Sequence, residues 1–307
     1  MKPHADIARD RRQALAKLLA LGLCAAGGTV ATSAAHAHPG PAPCEPPARL
    51  RLAVIPKTSD DVQLEAYRML ARALAGALAL PVEVVPAASY SAVVQGLQAG
   101  RIDVAELGPA TYVQMQRTGA VALPFAALVN TPGTLSRYQA LLVVRRGARW
   151  RRWQDLRGAT LGLVDPASTS GALLPRQLVR AHTGMELEEY FARVSYAGSH
   201  DRALAAVRDG LVDAAFISSE RLTLAHERKL VAPEELRTLW TSAPLPTDAF
   251  VMRKRLCPAL QAQLLQVFVQ QQALLRPALQ KLGKQGVVAV DEGDYAEVER
   301  MLGLSVP

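Results

Sequence analysis

Three hydroxyl residues in a row, Ser168-Thr169-Ser170, followed by Gly171, stand where an apolar run, Thr160 to Val164, gives way to a helical pattern. Asp165-Pro166 makes the turn between them. The first N–H groups of a helix lack partners within it, and the helix dipole places partial positive charge at that end. Such a terminus receives anions. Three added hydroxyls can converge on a tetrahedral oxyanion, and Gly171 lets a ligand approach the backbone. A helix cap also uses Ser or Thr, but needs only one; the chemistry alone leaves capping and anion binding both open. Pro175 removes an N–H from the early helix, so a kink or a short first segment is expected there. Arg176 lies too far along to touch such a ligand.

Signatures of enzymes are missing. The sequence contains no GxSxG elbow, no phosphate loop of the GxxxxGKS or GxxxxGKT type, no HExxH and no SxxK. Outside the N-terminal region the histidines are His182, His200 and His226. Asp, His and Ser are all present, which leaves an exported hydrolase as the least favoured alternative. No CxxC pair or His/Cys ligand spacing occurs, and neither a metal nor a cofactor is expected.

The first residues read as an export signal. Arg9, Arg11, Arg12 and Lys17 precede an apolar stretch, Leu18 to Ala31, and a small-residue site ends at Ala37, where cleavage is expected. The pair Arg11-Arg12 fits twin-arginine export except that Ala14-Leu15 stands for Phe-Leu; the general secretory route fits as well. Leu23 before Cys24, where a small residue is needed, argues against a lipoprotein. The destination is the periplasm. There a disulfide between Cys44 and Cys257 becomes possible, the other open state being two free thiols. The formal charge is +8, and residues 1–37 carry five basic and two acidic residues, so the exported chain is near +5. Basic residues are scattered, apart from Arg145, Arg146, Arg149, Arg151 and Arg152, and aromatics make up 5%. That is not the basic, stacking surface of a nucleic-acid binder. It suits capture of a small anion.

The elements that must position the hydroxyls follow from periodicity. Residues 38–48 are a Pro-rich tail expected to be disordered. Leu50 to Ile55, Val82 to Val85 and Ile102 to Leu107 read as strands, with helices over Asp61 to Ala79 and Tyr90 to Ala99 between them. This alternation predicts a parallel sheet with helices on its faces. The pattern restarts with a strand over Tyr138 to Val144. After it come strands at Thr160 to Val164, Val194 to Tyr196 and Val212 to Ile217, and helices over Gly171 to Thr183 and Asp201 to Asp209. Leu239 to Met252 reads as an extended return, and Pro258 to Leu282 as a helix broken at Pro277. Two α/β lobes follow, residues 49–142 with 240–307 and residues 143–239, joined by two crossing segments with a hinged cleft between. In open α/β sheets ligands bind beyond the C-terminal strand ends.

Five stretches in this order resemble the phosphate/phosphite/phosphonate-binding proteins of ABC importers, which have a bilobal periplasmic-binding-protein fold of type II character. They are Ala88-Ser89-Tyr90 with Val93 to Leu97; Gly100 to Ala105 with Gly108 to Tyr112; Val164 to Pro175; Tyr196 to Asp201; and Ala205 to Ala214. The resemblance covers about Leu50 to Met252. It implies that Ser168, Thr169, Ser170 and adjoining amides hold the phosphoryl or phosphonyl oxygens. His200 would add a donor from the opposite wall, Tyr90 would reach in from the first lobe, and Tyr112 would stand near. Neutral donors rather than an arginine clamp would grip the ligand. In some aminoalkylphosphonate binders of the family, carboxylates hold the ligand's ammonium; the matching positions look like Glu220 and Asp248. A buried carboxylate beside an anion needs a cation or a proton between them. Either the ligand carries an amine, or a carboxylate accepts a hydrogen bond from a protonated ligand oxygen. An aromatic near the ligand in some amine-binding members corresponds to Leu107 here, which weighs against the amine. The resemblance implies a protein that captures a small phosphorus oxyanion and delivers it to an ABC permease; the sequence leaves the oligomeric state open, with a monomer as the default. A binding protein that feeds a membrane sensor is the alternative.

Overall fold

The computed structural model describes residues 44, 46–57 and 61–304. The expected export signal, its cleavage site and most of the Pro-rich tail lie outside the described residues. The chain opens with β1 (Leu50–Val54), α1 (Asp61–Leu78), β2 (Val82–Pro86), α2 (Tyr90–Gln98), β3 (Val104–Leu107) and α3 (Pro109–Arg117). It continues through β4 (Ala122–Val129), β5 (Arg137–Tyr138), β6 (Ala140–Arg145) and β7 (Thr160–Leu163). A π-helical turn, Thr169–Leu173, then runs into α4 (Leu174–Thr183). Next come α5 (Leu187–Tyr190), β8 (Arg193–Tyr196), α6 (His200–Arg208), β9 (Ala214–Ser218), α7 (Ser219–Glu227) and β10 (Leu236–Thr241). The chain ends with β11 (Leu245–Pro246), β12 (Ala249–Arg253), α8 (Pro258–Leu265), α9 (Arg276–Lys281), β13 (Gly286–Ala289) and α10 (Ala296–Met301).

Two sheets result, ordered β13-β4-β12-β3-β1-β2 and β10-β6-β9-β7-β8. Both are built to one plan. A central strand (β1 or β7) pairs in parallel with the next two strands of its own lobe. A strand arriving from the other lobe, β12 or β6, then lies antiparallel beside β3 or β9. The sheets are therefore mixed, not purely parallel. β4 and β13, which the periodicity did not mark, complete the first sheet as antiparallel strands. The short antiparallel pair β5–β11 joins the two stretches of chain that cross between lobes.

The shared plan is written in the sequence at a constant offset. Ser89, Gly100 and Asp103 recur 110 residues later as Ser199, Gly210 and Asp213. Each serine caps a helix, accepting from Ala92 N or Arg202 N. Each glycine leaves its helix with positive φ, 67° and 76°, where residues with a side chain are disfavoured. Each aspartate accepts from an amide of the central strand, Asp103 from Arg51 N at 2.9 Å and Asp213 from Thr160 N at 2.8 Å. Asp103 also holds the Arg51 and Arg253 side chains at 2.8 and 2.9 Å, which ties β1 and β12 to the start of β3.

One face of the first sheet packs Leu52, Phe125 and Phe250 against Tyr67, Leu70 and Leu74 of α1 and against Phe268. The second sheet buries Leu142, Leu161, Leu163 and Phe216 against Trp153, Val179 and Tyr190. The long C-terminal helix breaks earlier than at Pro277: α8 passes into a π turn, Gln266–Gln270, and a 3₁₀ turn, Gln272–Leu275. Pro277 sits in the first turn of α9, where its missing N–H has no intrahelical partner to lose.

Cys44 and Cys257 are joined, their Cα atoms 4.6 Å apart and 213 residues apart in sequence. Closing so long a loop removes much of the unfolded chain's freedom, a stabilisation of about 2–5 kcal/mol. Reduction, or Cys257→Ser, is expected to lower the thermal midpoint by roughly 4–20 °C for a chain of this size. A midpoint unmoved by reductant would show that the loop entropy is offset elsewhere.

Candidate functional site

A small cavity lies between the lobes at the C-terminal ends of the parallel strands. Five helical N-termini open towards it: those of α2, α3, the π turn leading into α4, α6 and α7. Each brings amides that lack a partner within the helix and the positive end of a dipole. Four of the five are capped by serine (Ser89, Ser168, Ser199 and Ser218) and α3 by Gly108.

The hydroxyl row divides its labour. Ser168 is the cap, its Oγ accepting from Gly171 N at 3.2 Å. A hydroxyl that accepts with a lone pair still has its own proton to donate, so capping and anion binding are compatible in one residue. Thr169 Oγ1 accepts from Ala110 N of the first lobe at 3.0 Å and hydrogen-bonds Tyr138. Thr169 thus lines the cavity but spends its hydroxyl on the contact between lobes. Ser170 is 2% exposed and lines the cavity. Pro175 explains the π turn. Its missing N–H and its ring disfavour an ordinary α-turn against the Gly171 carbonyl. The widened turn bonds Leu174 N to Thr169 O, and the Gly171 carbonyl accepts from Val164 N instead, at 3.1 Å. Gly171 itself faces the strand: a Cβ there would meet Val164 at 2.5 Å. It is a close-packing glycine and not a lining residue.

His200, the first residue of α6, lines the cavity from the same lobe as the hydroxyl row. Its Nδ1 accepts from Ser218 N at 3.2 Å, which leaves the proton on Nε2. Burial, with Arg221 and Lys57 nearby, lowers its pKa to about 3. The ring is therefore a neutral donor at ordinary pH. Tyr90 and Tyr138 also line the cavity, and burial raises both phenols far above their usual range. They too are neutral donors.

Two cations that sequence reading passed over reach the site. Lys57, just beyond β1, places Nζ 2.5 Å from Asp248 Oδ2 and 2.9 Å from Glu106 Oε2. Burial works against its charge, but the two carboxylates outweigh it and raise the Lys57 pKa. Arg221 lines the cavity from the first turn of α7. The donor set therefore includes charged groups alongside the neutral ones expected. Glu106, held also by the Tyr67 hydroxyl, was likewise missed. Asp248 and Glu220 do line the cavity. Burial raises the Asp248 pKa despite Lys57. Glu220 receives Lys284 Nζ at 2.9 Å; burial alone would raise its pKa, yet Lys284, Lys57 and Arg221 hold it below the usual range. Leu107 is fully buried in the core and Tyr112 packs on Tyr295 with its hydroxyl near Gln116; neither lines the cavity.

Direct bonds join the lobes around the cavity. Besides Ala110 N to Thr169, Thr111 Oγ1 donates to Ala167 O, Tyr90 N donates to Asp165 Oδ2 at 3.1 Å, and His200 N donates to Lys57 O at 3.3 Å. Gly108 permits this approach. A Cβ there would lie 2.7 Å from Thr169 Oγ1, although its φ of −62° suits any residue. The cavity is small, about 20 Å³ where one water needs roughly 10–15 Å³.

Two α/β lobes closing on a polar cavity between sheet ends define a two-lobed binding protein of the periplasmic kind. Solved structures share the fold. A binding protein component of an ABC phosphonate transporter from Pseudomonas aeruginosa superposes with TM-score 0.73 at 22% identity, covering 82% of this chain and 84% of that one. PhnD1 from Prochlorococcus marinus, in complex with methylphosphonate, gives 0.72 at 18% identity, over 85% and 100%. In sequence, the phosphate-import protein PhnD of Mycolicibacterium smegmatis is 28% identical over 233 residues, 73% of this chain and 72% of that protein. Residues 52–295 match the model of the ABC transporter, phosphonate, periplasmic substrate-binding protein family. The chain belongs to that family.

Two outcomes follow. Gly108→Ala is expected to weaken any ligand held in the closed cleft by roughly tenfold or more, about 1.4 kcal/mol, with the thermal midpoint unchanged; equal affinity by calorimetry would mean that the cleft absorbs the methyl. His200 has a folded pKa below the unfolded value of 6.5, so its stabilising contribution is complete above pH 6.5 and is lost as pH falls towards 3. Nitrogen chemical shifts of the ring should stay those of neutral imidazole down to about pH 4, and an imidazolium signal at pH 6 would contradict the assignment.

Proposed function

We propose that this protein is the ligand-capturing component of an importer for a small, tetrahedral phosphorus oxyanion such as phosphate, phosphite or methylphosphonate. The observation that carries the reading is the convergence of five helical N-termini, with the Ser168, Ser170 and His200 donors, on a cavity of about 20 Å³. A compact oxyanion held there would be surrounded by amide, hydroxyl and imidazole donors. A nucleotide would not fit the cavity. The family of this chain and the phosphate-import protein to which it is similar both support the assignment.

The proposed cycle uses the hinge. Ligand first meets the hydroxyl row and helix end of the second lobe. The second lobe then carries it onto the first about the paired crossing segments, bringing the anion to Tyr90 and Lys57 and Thr169 to Ala110. Closure excludes water, which strengthens each hydrogen bond to the ligand. The closed form is the one offered to the membrane permease, and opening there releases the ligand. Nothing in the site is poised to attack the phosphorus: His200 is held as a donor and Ser168 as a cap. The protein on this reading binds and releases its ligand unchanged. Export of residues 1–37 with cleavage after Ala37 would place it in the periplasm, and N-terminal sequencing of the periplasmic form should begin at His38.

Isothermal titration calorimetry with phosphate, phosphite and methylphosphonate tests the reading. At least one is expected to bind with a dissociation constant below about 10 μM, roughly −7 kcal/mol; none binding below millimolar would falsify it. Ser170→Ala should lower affinity for every bound oxyanion without lowering stability. Ser168→Ala should lower both, the loss of the cap costing about 0.5–2 kcal/mol. Unchanged affinity in both variants would leave the row as a capping device.

A further inference from the structure

The acidic side chains at the cavity raise a question of charge. Asp248 and Glu220 line the cavity where an anion is to bind, Glu106 is linked to it through Lys57, and a buried carboxylate requires a cation. We infer that the protein supplies this cation itself through Lys57, and that the site therefore accepts phosphorus oxyanions with an uncharged substituent and discriminates against those that carry an ammonium. The inference rests on the oxyanion reading above and deepens it to a class of ligand.

Three observations carry it. First, Lys57 Nζ lies 2.5 Å from Asp248 and 2.9 Å from Glu106, with the three side chains 13%, 16% and 4% exposed. This is the position a ligand ammonium would take to satisfy the same two carboxylates. Second, an ammonium has three N–H donors in a compact array. Two are engaged by Asp248 and Glu106, and Lys57 also lines the cavity, so the third can point at the anion. Third, the remaining carboxylate is already partnered, Glu220 receiving Lys284 at 2.9 Å and Asn130 at 3.5 Å.

The charges therefore balance before any ligand enters: Lys57, Lys284 and Arg221 against Glu106, Asp248 and Glu220. A simple phosphonate adds negative charge that the helix ends and hydroxyls are placed to meet. An aminophosphonate adds a further ammonium for which no unpaired carboxylate remains among these three. It must displace Lys57, burying that charge unpaired, or sit beside it in a low-dielectric space where like charges repel strongly.

The test compares near-isosteric ligands, ethylphosphonate and aminomethylphosphonate, which differ by a terminal methyl against an ammonium. For the unaltered protein, calorimetry should show ethylphosphonate binding at least about tenfold more tightly. Equal or tighter binding of aminomethylphosphonate overturns the inference while leaving the oxyanion reading intact. Failure of phosphate, phosphite and methylphosphonate to bind overturns the oxyanion reading, and the inference with it. Lys57→Met, confirmed as folded by circular dichroism, frees Asp248 and Glu106 to take the ligand's cation. The affinity ratio should then move at least about tenfold towards aminomethylphosphonate; a ratio that does not move counts against Lys57 as the internal cation. Should the variant not fold, the comparison in the unaltered protein decides alone.

Discussion

The hydrogen bond from the Ala110 amide to the Thr169 hydroxyl, at 3.0 Å, joins the head of a helix in one lobe to the head of a helix in the other. It forms only because Gly108 has no Cβ to strike Thr169. The cavity between the lobes and the convergence of donors on it depend on this approach. With the lobes apart, each helix end would face water and a bound anion would keep much of its hydration. With the lobes together, dipoles and hydroxyls already in place can replace that hydration without reorganising. One missing methyl group thus controls whether two half-sites become one.

The electrostatics divide between groups that are charged and groups kept neutral. His200, Tyr90 and Tyr138 are buried so deeply that their uncharged forms are favoured. Each can donate without adding charge, and none changes state in the ordinary pH range. Most of the charged groups occur as partners, with Lys57 between two carboxylates and Lys284 on Glu220. Such pairing limits the penalty of burying ions. It also leaves the positive potential at the cavity to Arg221 and to the helix ends, whose charge is partial and spread over many amides.

Much of this was legible in the sequence because local rules produced it. The strand–helix alternation, the hydroxyl row at a helix start and Ser199-His200 at another all report short-range structure. The constant offset of 110 residues linking Ser89, Gly100 and Asp103 to Ser199, Gly210 and Asp213 was a further signal, and it would have exposed the matched plan of the lobes. What escaped depended on distant pairing. β4 and β13 are short apolar stretches whose strand character is fixed by β12 and by each other, not by periodicity. Lys57 follows β1 in what reads as an ordinary loop; its meaning comes from Glu106 and Asp248, 49 and 191 residues further on. Gly171 looked like room for a ligand and proved to be room for Val164. The π turn is a case where a visible cause, Pro175, gave a kink whose form only the strand beside it determined.

The Cys44–Cys257 bridge fastens the chain ahead of β1 to the head of α8, and α8 lies with α1 on the first sheet. Any pull arriving through the N-terminal chain is therefore borne by the first lobe. In mechanical terms that lobe is the stator. The second lobe, with the hydroxyl row, is held by the two crossing segments, and in the proposed cycle it is the part that swings. A tether on the stator side would leave the stroke of the moving jaw unloaded.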